Sequence, residues 1–160
     1  NPETRCVVAT DVGLTKADKQ PSPLICYLFA QGRCHHGADC GFLHRLPDET
    51  FEASLEHSRD CFGRPRHATD ADGMGGVGNF MTNSRTLYLG NIKVLKKGDN
   101  LEKRMREHFG EWGELEVVKV FPNRAIGFIT YKLRTAAEFA KIAMADQSGP
   151  HHPSTLSASC

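Results

Sequence analysis

The second half of the chain carries the clearest alternation of apolar and polar positions. Thr86-Leu87-Tyr88-Leu89-Gly90-Asn91 predicts a strand. From Leu101 to Trp112, the pattern returns at Leu101, Met105, His108/Phe109 and Trp112, a helical period. Gly113 stands where a helix-ending glycine belongs. Leu115–Phe121 predicts a second strand, Pro122-Asn123 a turn, and Ala125–Tyr131 a third strand. In that third strand Ile126, Phe128 and Thr130 alternate with Gly127, Ile129 and Tyr131. Thr135–Ala145 predicts a second helix, with Thr135 as N-cap and Glu138 completing a capping box. The order β-α-β-β-α is one strand short of the β-α-β-β-α-β fold. Residues 147–160 contain two prolines and four serines, poor strand material. They are expected either to be a disordered tail or to lend a makeshift strand from Ser154–Ser159.

The first half has no comparable period. Asp11-Val12-Gly13 and Pro21-Ser22-Pro23 are turn signals. Phe51–Leu55, preceded by Asp48 and Glu49, predicts a short helix with carboxylates in its first turn. Gly73, Gly75, Gly76 and Gly78 fall within six positions, which no regular element tolerates. This stretch is read as a connector, although Met74, Val77, Phe80 and Met81 are more apolar than a free linker needs.

Composition changes this picture in two places. Net charge is only +1, but residues 85–134 hold 11 Lys+Arg against 6 Asp+Glu, whereas residues 1–84 hold 8 against 11. A basic second half suits a polyanion, since released counterions drive phosphate binding; a solvated basic surface is the plainer alternative. No apolar run approaches the roughly 18 residues a membrane helix needs, and Asn1-Pro2-Glu3 does not open a signal peptide. Of the six cysteines, three cluster with a histidine, a pattern of metal binding in a reducing compartment rather than of disulfides.

That cluster is Cys26, Cys34, Cys40 and His44, with seven, five and three residues between successive ligands. Three thiolates and an imidazole suit one tetrahedral Zn2+. So short a stretch cannot bury enough core to fold alone, and the ion would supply the missing stability. Four protein ligands leave no open coordination position, so the site is expected to be structural rather than catalytic. Gly32 and Gly37 allow tight turns, and Tyr27, Phe29 and Phe42 place rings beside the metal. Phe42 lies where Cys3His fingers commonly carry a base-stacking ring. Phe29, Phe42 and Arg33 are candidate RNA contacts, with Arg45 flanking; a pure scaffold is the alternative. His35 and His36 are poorly spaced to ligate. A second site from Cys6, Cys61, His57 and His67 is conceivable, though packed thiols are the common case.

Two further stretches read as the paired signatures of an RNA-recognition motif. The short one is Leu87-Tyr88-Leu89-Gly90-Asn91-Ile92; the long one is Arg124-Ala125-Ile126-Gly127-Phe128-Ile129-Thr130-Tyr131. The long signature has Ala125 in place of glycine and Ile126 where an aromatic is usual. Strand alternation turns Tyr88 and Phe128 outward to stack bases, and Arg124 is placed to reach a phosphate. Leu87, Leu89, Gly127, Ile129 and Tyr131 are expected to face the helices. Lys93, Lys96 and Lys97 form a rim for backbone contacts. Core packing or a protein-binding face is the competing reading of the rings. No H-x-E with P-C-x-x-C deaminase signature is present, so no enzyme is expected.

Together these residues resemble one spliceosomal family, known as Cwc-two in yeast and as RNA-binding motif protein twenty-two in animals. The resemblance rests on Arg5-Cys6, on Asp11 to Asp18, on the finger spacing and on His44 to Glu49. It continues through Asp60 to Arg64, Asp72 to Phe80 and the motif from Thr86, covering about residues 5–147. It implies an α+β chain: a small zinc-stabilised torus module at 1–71 containing the Cys3His finger at 24–46, then a glycine-rich connector at 72–84. A ferredoxin-like RNA-recognition motif at 85–147 follows, with its fourth strand in doubt, and then the tail at 148–160. It also implies a nuclear, non-enzymatic pre-mRNA splicing factor that contacts U6 small nuclear RNA and intron RNA. Such a factor would hold the spliceosome's catalytic RNA in its active fold. Its partners would be spliceosomal proteins of the nineteen complex, with the chain a monomer inside a large ribonucleoprotein. A protein-interaction scaffold with little direct RNA contact is the alternative. Phe80 and the glycines abut the first strand, so finger, connector and sheet are expected to form one RNA path.

Overall fold

The computed structural model describes residues 5–67, 83–92 and 100–145, together with the backbone of 158–159. The first half is short elements joined by turns. Helix α1 spans Val8–Asp11, α2 Tyr27–Ala30 and α3 Glu49–Ser54, with 3-10 turns at Lys16–Lys19 and Gly37–Asp39. Local side chains fix their starts. Thr15 and Asp18 form a reciprocal capping box on the first 3-10 turn. The Asp48 carboxylate accepts the Phe51 N–H at 2.7 Å at the start of α3. Single bridges, Gly13 to His44 and Ile25 to Leu43, hold the turns together. Gly32 has φ +67°, and a Cβ there would lie 2.4 Å from the Arg5 carbonyl carbon. Only glycine fits that close crossing.

The second half contains β1 (Thr86–Leu89), α4 (Leu101–Phe109), β2 (Leu115–Phe121), β3 (Ile126–Tyr131), α5 (Arg134–Met144) and β4 (Ala158–Ser159). The sheet order is β2-β3-β1-β4, all antiparallel. β1 pairs with β3 in the register Thr86–Thr130, Leu87–Ile129, Tyr88–Phe128, Leu89–Gly127. This is the β-α-β-β-α-β fold of an RNA-recognition motif. The fourth strand is two residues long and falls inside the tail segment considered for it. Ala158 pairs with Leu89 and Ser159 with Tyr88, so β1 is covered there.

Three boundaries differ from expectation. α4 stops at Phe109 and continues as a 3-10 turn, Gly110–Trp112. β3 begins at Ile126 because Ala125 sits in the left-handed region, φ 55°, closing the turn Pro122–Arg124. α5 begins at Arg134 with Leu133 as N-cap and no side-chain cap bond. The capping box expected within this helix is therefore not formed. Thr135 donates from both its N–H and Oγ1 to Glu52 of α3, each at 2.8 Å. Glu138 accepts the Cys61 N–H at 2.9 Å. The residues that look like a local cap are used between the two halves.

α5 is buried along its whole length, including Arg134, Glu138 and Lys141. One side packs on the sheet, whose inward residues Leu87, Leu89, Ile129 and Tyr131 are fully buried. The other side meets the first half. Phe139 is the centre of that contact, with ring centroids 5.8 Å from Phe29, 6.2 Å from Phe62 and 5.7 Å from Trp112. Arg134 donates to the Arg59 carbonyl at 3.2 Å, and Arg5 pairs with Glu111. The molecule is thus layered: finger half, α5, sheet.

Candidate metal centre and nucleic-acid interface

The four expected ligands converge. One ligand atom from each of Cys26, Cys34, Cys40 and His44 lies within 4.8 Å of the others. Cys26 is the N-cap of α2, and its Sγ accepts the Phe29 N–H at 3.3 Å. Its own N–H donates to Leu43 O at 3.0 Å, bringing the first ligand beside the last. Cys40 closes the turn Gly37–Asp39. His44 is held by its bridge to Gly13, and its ring stacks on Phe29 at 4.9 Å and 10°.

The donor set fits a tetrahedral ion. Zn–S bonds of about 2.3 Å require an S–S edge near 3.8 Å, and Cys34 Sγ and Cys40 Sγ stand 3.8 Å apart. His44 Nε2 is buried with no hydrogen-bond partner, a costly state for an imidazole nitrogen unless something else engages it. Burial holds the His44 ring below its ordinary pKa, in the neutral form that ligates. Burial also pushes the Cys26 thiol up to about 12, with Cys34 adding to the rise against the lowering effect of the Phe29 amide. A metal entering here would displace the proton that burial holds on Cys26. Among the described residues, no other Cys/His/Asp/Glu group of this kind occurs. Cys6 and Cys61 are fully buried free thiols, both raised by burial; His57 and His67 are exposed.

The nucleic-acid candidates divide. Phe42 lies between two ligands and is 48% exposed, and Arg33 is exposed. Phe29 is a correction. It is 2% exposed, pinned between His44 and Phe139, so it supports a ligand and joins the halves and presents no face to a base. On the sheet, Tyr88 is half-buried, Phe128 is 37% exposed, and their rings meet at 5.7 Å. Thr86 and Thr130 share a 2.9 Å hydrogen bond on the same face. Arg124 is exposed, but in the turn before β3 rather than on the strand. Phe80, Lys93, Lys96 and Lys97 lie outside the described residues, as do residues 72–82 of the connector. α5 and the sheet stand between the finger and the outer face of the sheet. A strand of RNA touching both would have to round an edge of the molecule.

Reading the sequence did not find the contact between the halves, made by Glu52, Cys61, Arg134, Glu138 and Phe139. The sequence gives no clear signal of it: Arg134, Glu138 and Lys141 stand at i, i+4 and i+7, the spacing of an ordinary solvated helix face, yet all three are buried.

The Torus domain family matches residues 1–64. The chain is 48% identical over 151 residues to the pre-mRNA-splicing factor cwf2 of Schizosaccharomyces pombe, covering 93% of this chain and 37% of that protein. It is 49% identical over 146 residues to the pre-mRNA-splicing factor cwc2 of Dictyostelium discoideum, covering 91% and 27%. The CWC2 protein of Leptosphaeria maculans is 46% identical over 150 residues, covering 92% and 34%. The chain thus spans about a third of the length of these curated relatives. Among solved structures, the RRM domain of S. pombe Puf1 aligns with 47% of this chain and 93% of its own at 13% identity, with a TM-score of 0.39.

Proposed function

We propose that this chain, which belongs to the Cwc2 family of pre-mRNA-splicing factors, is a non-enzymatic RNA-binding component of the nuclear splicing machinery. The observation that carries the reading is the pair Tyr88 and Phe128. They are directly opposed across β1 and β3, Phe128 exposed and Tyr88 half-buried, on a sheet whose inward residues Leu87, Leu89, Ile129 and Tyr131 are sealed. Opposed open rings stack successive unpaired bases, each stack contributing about 1–3 kcal/mol. Arg124 at the β2–β3 turn, and Lys93, Lys96 and Lys97 in the loop after β1, would hold phosphates. Phe42 and Arg33 would give the finger its own contact.

Zinc at Cys26, Cys34, Cys40 and His44 would supply folding stability rather than chemistry, since all four positions are taken by the protein. The RNA partners proposed are U6 small nuclear RNA and the pre-mRNA intron, which the chain would help hold in the catalytic fold. The protein partners proposed are those of the nineteen complex. Ultraviolet crosslinking of the zinc-loaded chain in nuclear extract tests this. Adducts with U6 and intron RNA on peptides containing Tyr88, Phe128 or Phe42 are expected. Protein crosslinks alone at those residues would favour a scaffold.

A further inference from the structure

The long RNA-recognition signature lacks its usual aromatic at Ile126. The structure places a ring next to that gap, from a different strand. β2 pairs with β3 so that Phe121 lies opposite Ile126 and Lys119 opposite Phe128. Paired residues share a face, and β2 alternates with Val118 buried and Val117, Lys119 and Phe121 exposed. Phe121 is therefore on the same open face as Tyr88 and Phe128. It is 44% exposed, and its ring lies 6.2 Å from that of Phe128, edge to face. Phe128 in turn lies 5.7 Å from Tyr88. The three rings form one chain across the sheet from β1 to β2, with Lys119 in the row of Tyr88 and Phe128, and Arg124 three residues beyond Phe121.

We propose that Phe121 is a third base-stacking platform, taking over the role the Ile126 position has lost, and that single-stranded RNA crosses the sheet from β1 towards the β2 edge. This rests on the RNA-binding reading above and deepens it. Two features favour an RNA strand as occupant. The rings follow one another from β1 to β2, each in edge-to-face contact with the next. Cationic side chains also accompany them, Lys119 within the row and Arg124 at its end, as a base-and-phosphate repeat requires. A ring at the edge strand would add one nucleotide to the footprint.

The test uses the full zinc-loaded chain and single-stranded oligouridylates of increasing length, with Phe121→Ala, Phe121→Leu, Phe128→Ala and the double variant Phe121→Ala/Ile126→Phe. Circular dichroism checks that each is folded. For the longer oligomers, Phe121→Ala and Phe121→Leu are expected to weaken binding roughly five- to hundredfold, the range of one lost stack. For oligomers too short to reach a third ring, they should leave binding unchanged. Restoring a ring at Ile126 should recover most of the loss. If Phe128→Ala weakens binding but both Phe121 variants match the wild type at every length, the third platform is wrong and the RNA-binding reading stands. An equal loss at all lengths makes Phe121 a structural residue and also overturns the proposal. If no variant changes affinity, both readings fall.

Discussion

Phe29, Phe62, Trp112 and Phe139 fill the space between the finger half and the sheet's helices, none of them more than 8% exposed. Tyr88, Phe121 and Phe128 stand on the opposite side of the same sheet, in edge-to-face contact, with Phe121 and Phe128 exposed and Tyr88 half-buried. The ring-to-ring distances in the two groups are alike, between 5.7 and 6.2 Å. What differs is exposure. The covered rings meet one another and a ligand histidine, with Arg5 over Trp112 and Arg64 over Phe62. The open rings alternate with buried residues at period two and are bordered by Lys119 and Arg124. Covered aromatic area stabilises the fold; open aromatic area beside cations costs solubility and implies a ligand. The comparison predicts that the covered group governs melting and the open group governs binding.

The largest effect should come from the metal. Cys40→Ser or chelation removes a contribution on the order of 10 kcal/mol to the finger. Because His44 stacks on Phe29 and Phe29 packs on Phe139, the loss should reach α5. Zinc stoichiometry and thermal unfolding followed in parallel should show the sheet domain melting earlier in the metal-free protein. An unchanged melting of the sheet domain would mean the two halves are energetically separate.

Phe139→Ala comes next. Truncating a fully buried phenylalanine costs about 3–5 kcal/mol, and here the cavity borders both halves. Urea unfolding should show one transition moving to lower denaturant, with single-stranded RNA affinity unchanged while the variant is folded.

A smaller effect depends on pH. Burial raises the Glu138 carboxyl from 4.5 to about 7, with Asp60 adding repulsion while Arg134, Arg66 and the Cys61 amide oppose the rise. Between those two values the folded state keeps a proton that the unfolded state releases. The stability this group contributes is therefore complete below its unfolded pKa and declines as pH rises through the folded pKa. Glu138→Gln removes that dependence. Relative to wild type the variant should gain up to roughly 3 kcal/mol between about pH 5 and pH 8, measured by paired urea titrations in zinc buffer. A parallel pair of curves would show that Arg134, 3.6 Å away, keeps the carboxylate ionised throughout.

The smallest of the four is Glu52→Ala. It removes the acceptor for Thr135 at the start of α5 and should cost about 1 kcal/mol, as loss of a helix cap does. Thr135→Ala should add little on top of it, because the Oγ1 bond it would delete is already lost with Glu52.

These contrasts also mark what the amino-acid order could reveal. The first three strands, both long helices and the outward turn of Tyr88 and Phe128 follow from period alone, and the ligand set follows from spacing. The ends of α4 and β3 do not, since a 3-10 turn at Gly110 and a left-handed Ala125 are settled by local packing. Thr135 and Glu138 have the spacing of a capping box, and nothing local to the chain tells that their partners lie on Glu52 and Cys61. Phe29 has the spacing of a finger ring, and its burial depends on Phe139, 110 residues later in the sequence. Phe121 reads as a strand end until the register with Ile126 puts it on the open face. Short-range pattern carries elements and ligands; long-range contact decides which rings are covered.

The central claim is that the open rings bind RNA and do not hold the fold together. The most direct measurement is the affinity of zinc-loaded wild type and Phe128→Ala for single-stranded RNA, with the melting temperature of each taken in the same samples. Phe128→Ala should bind more weakly by about 1–3 kcal/mol at an unchanged melting temperature. Unchanged affinity with a lowered melting temperature would contradict the account, placing Phe128 among the residues that stabilise the fold.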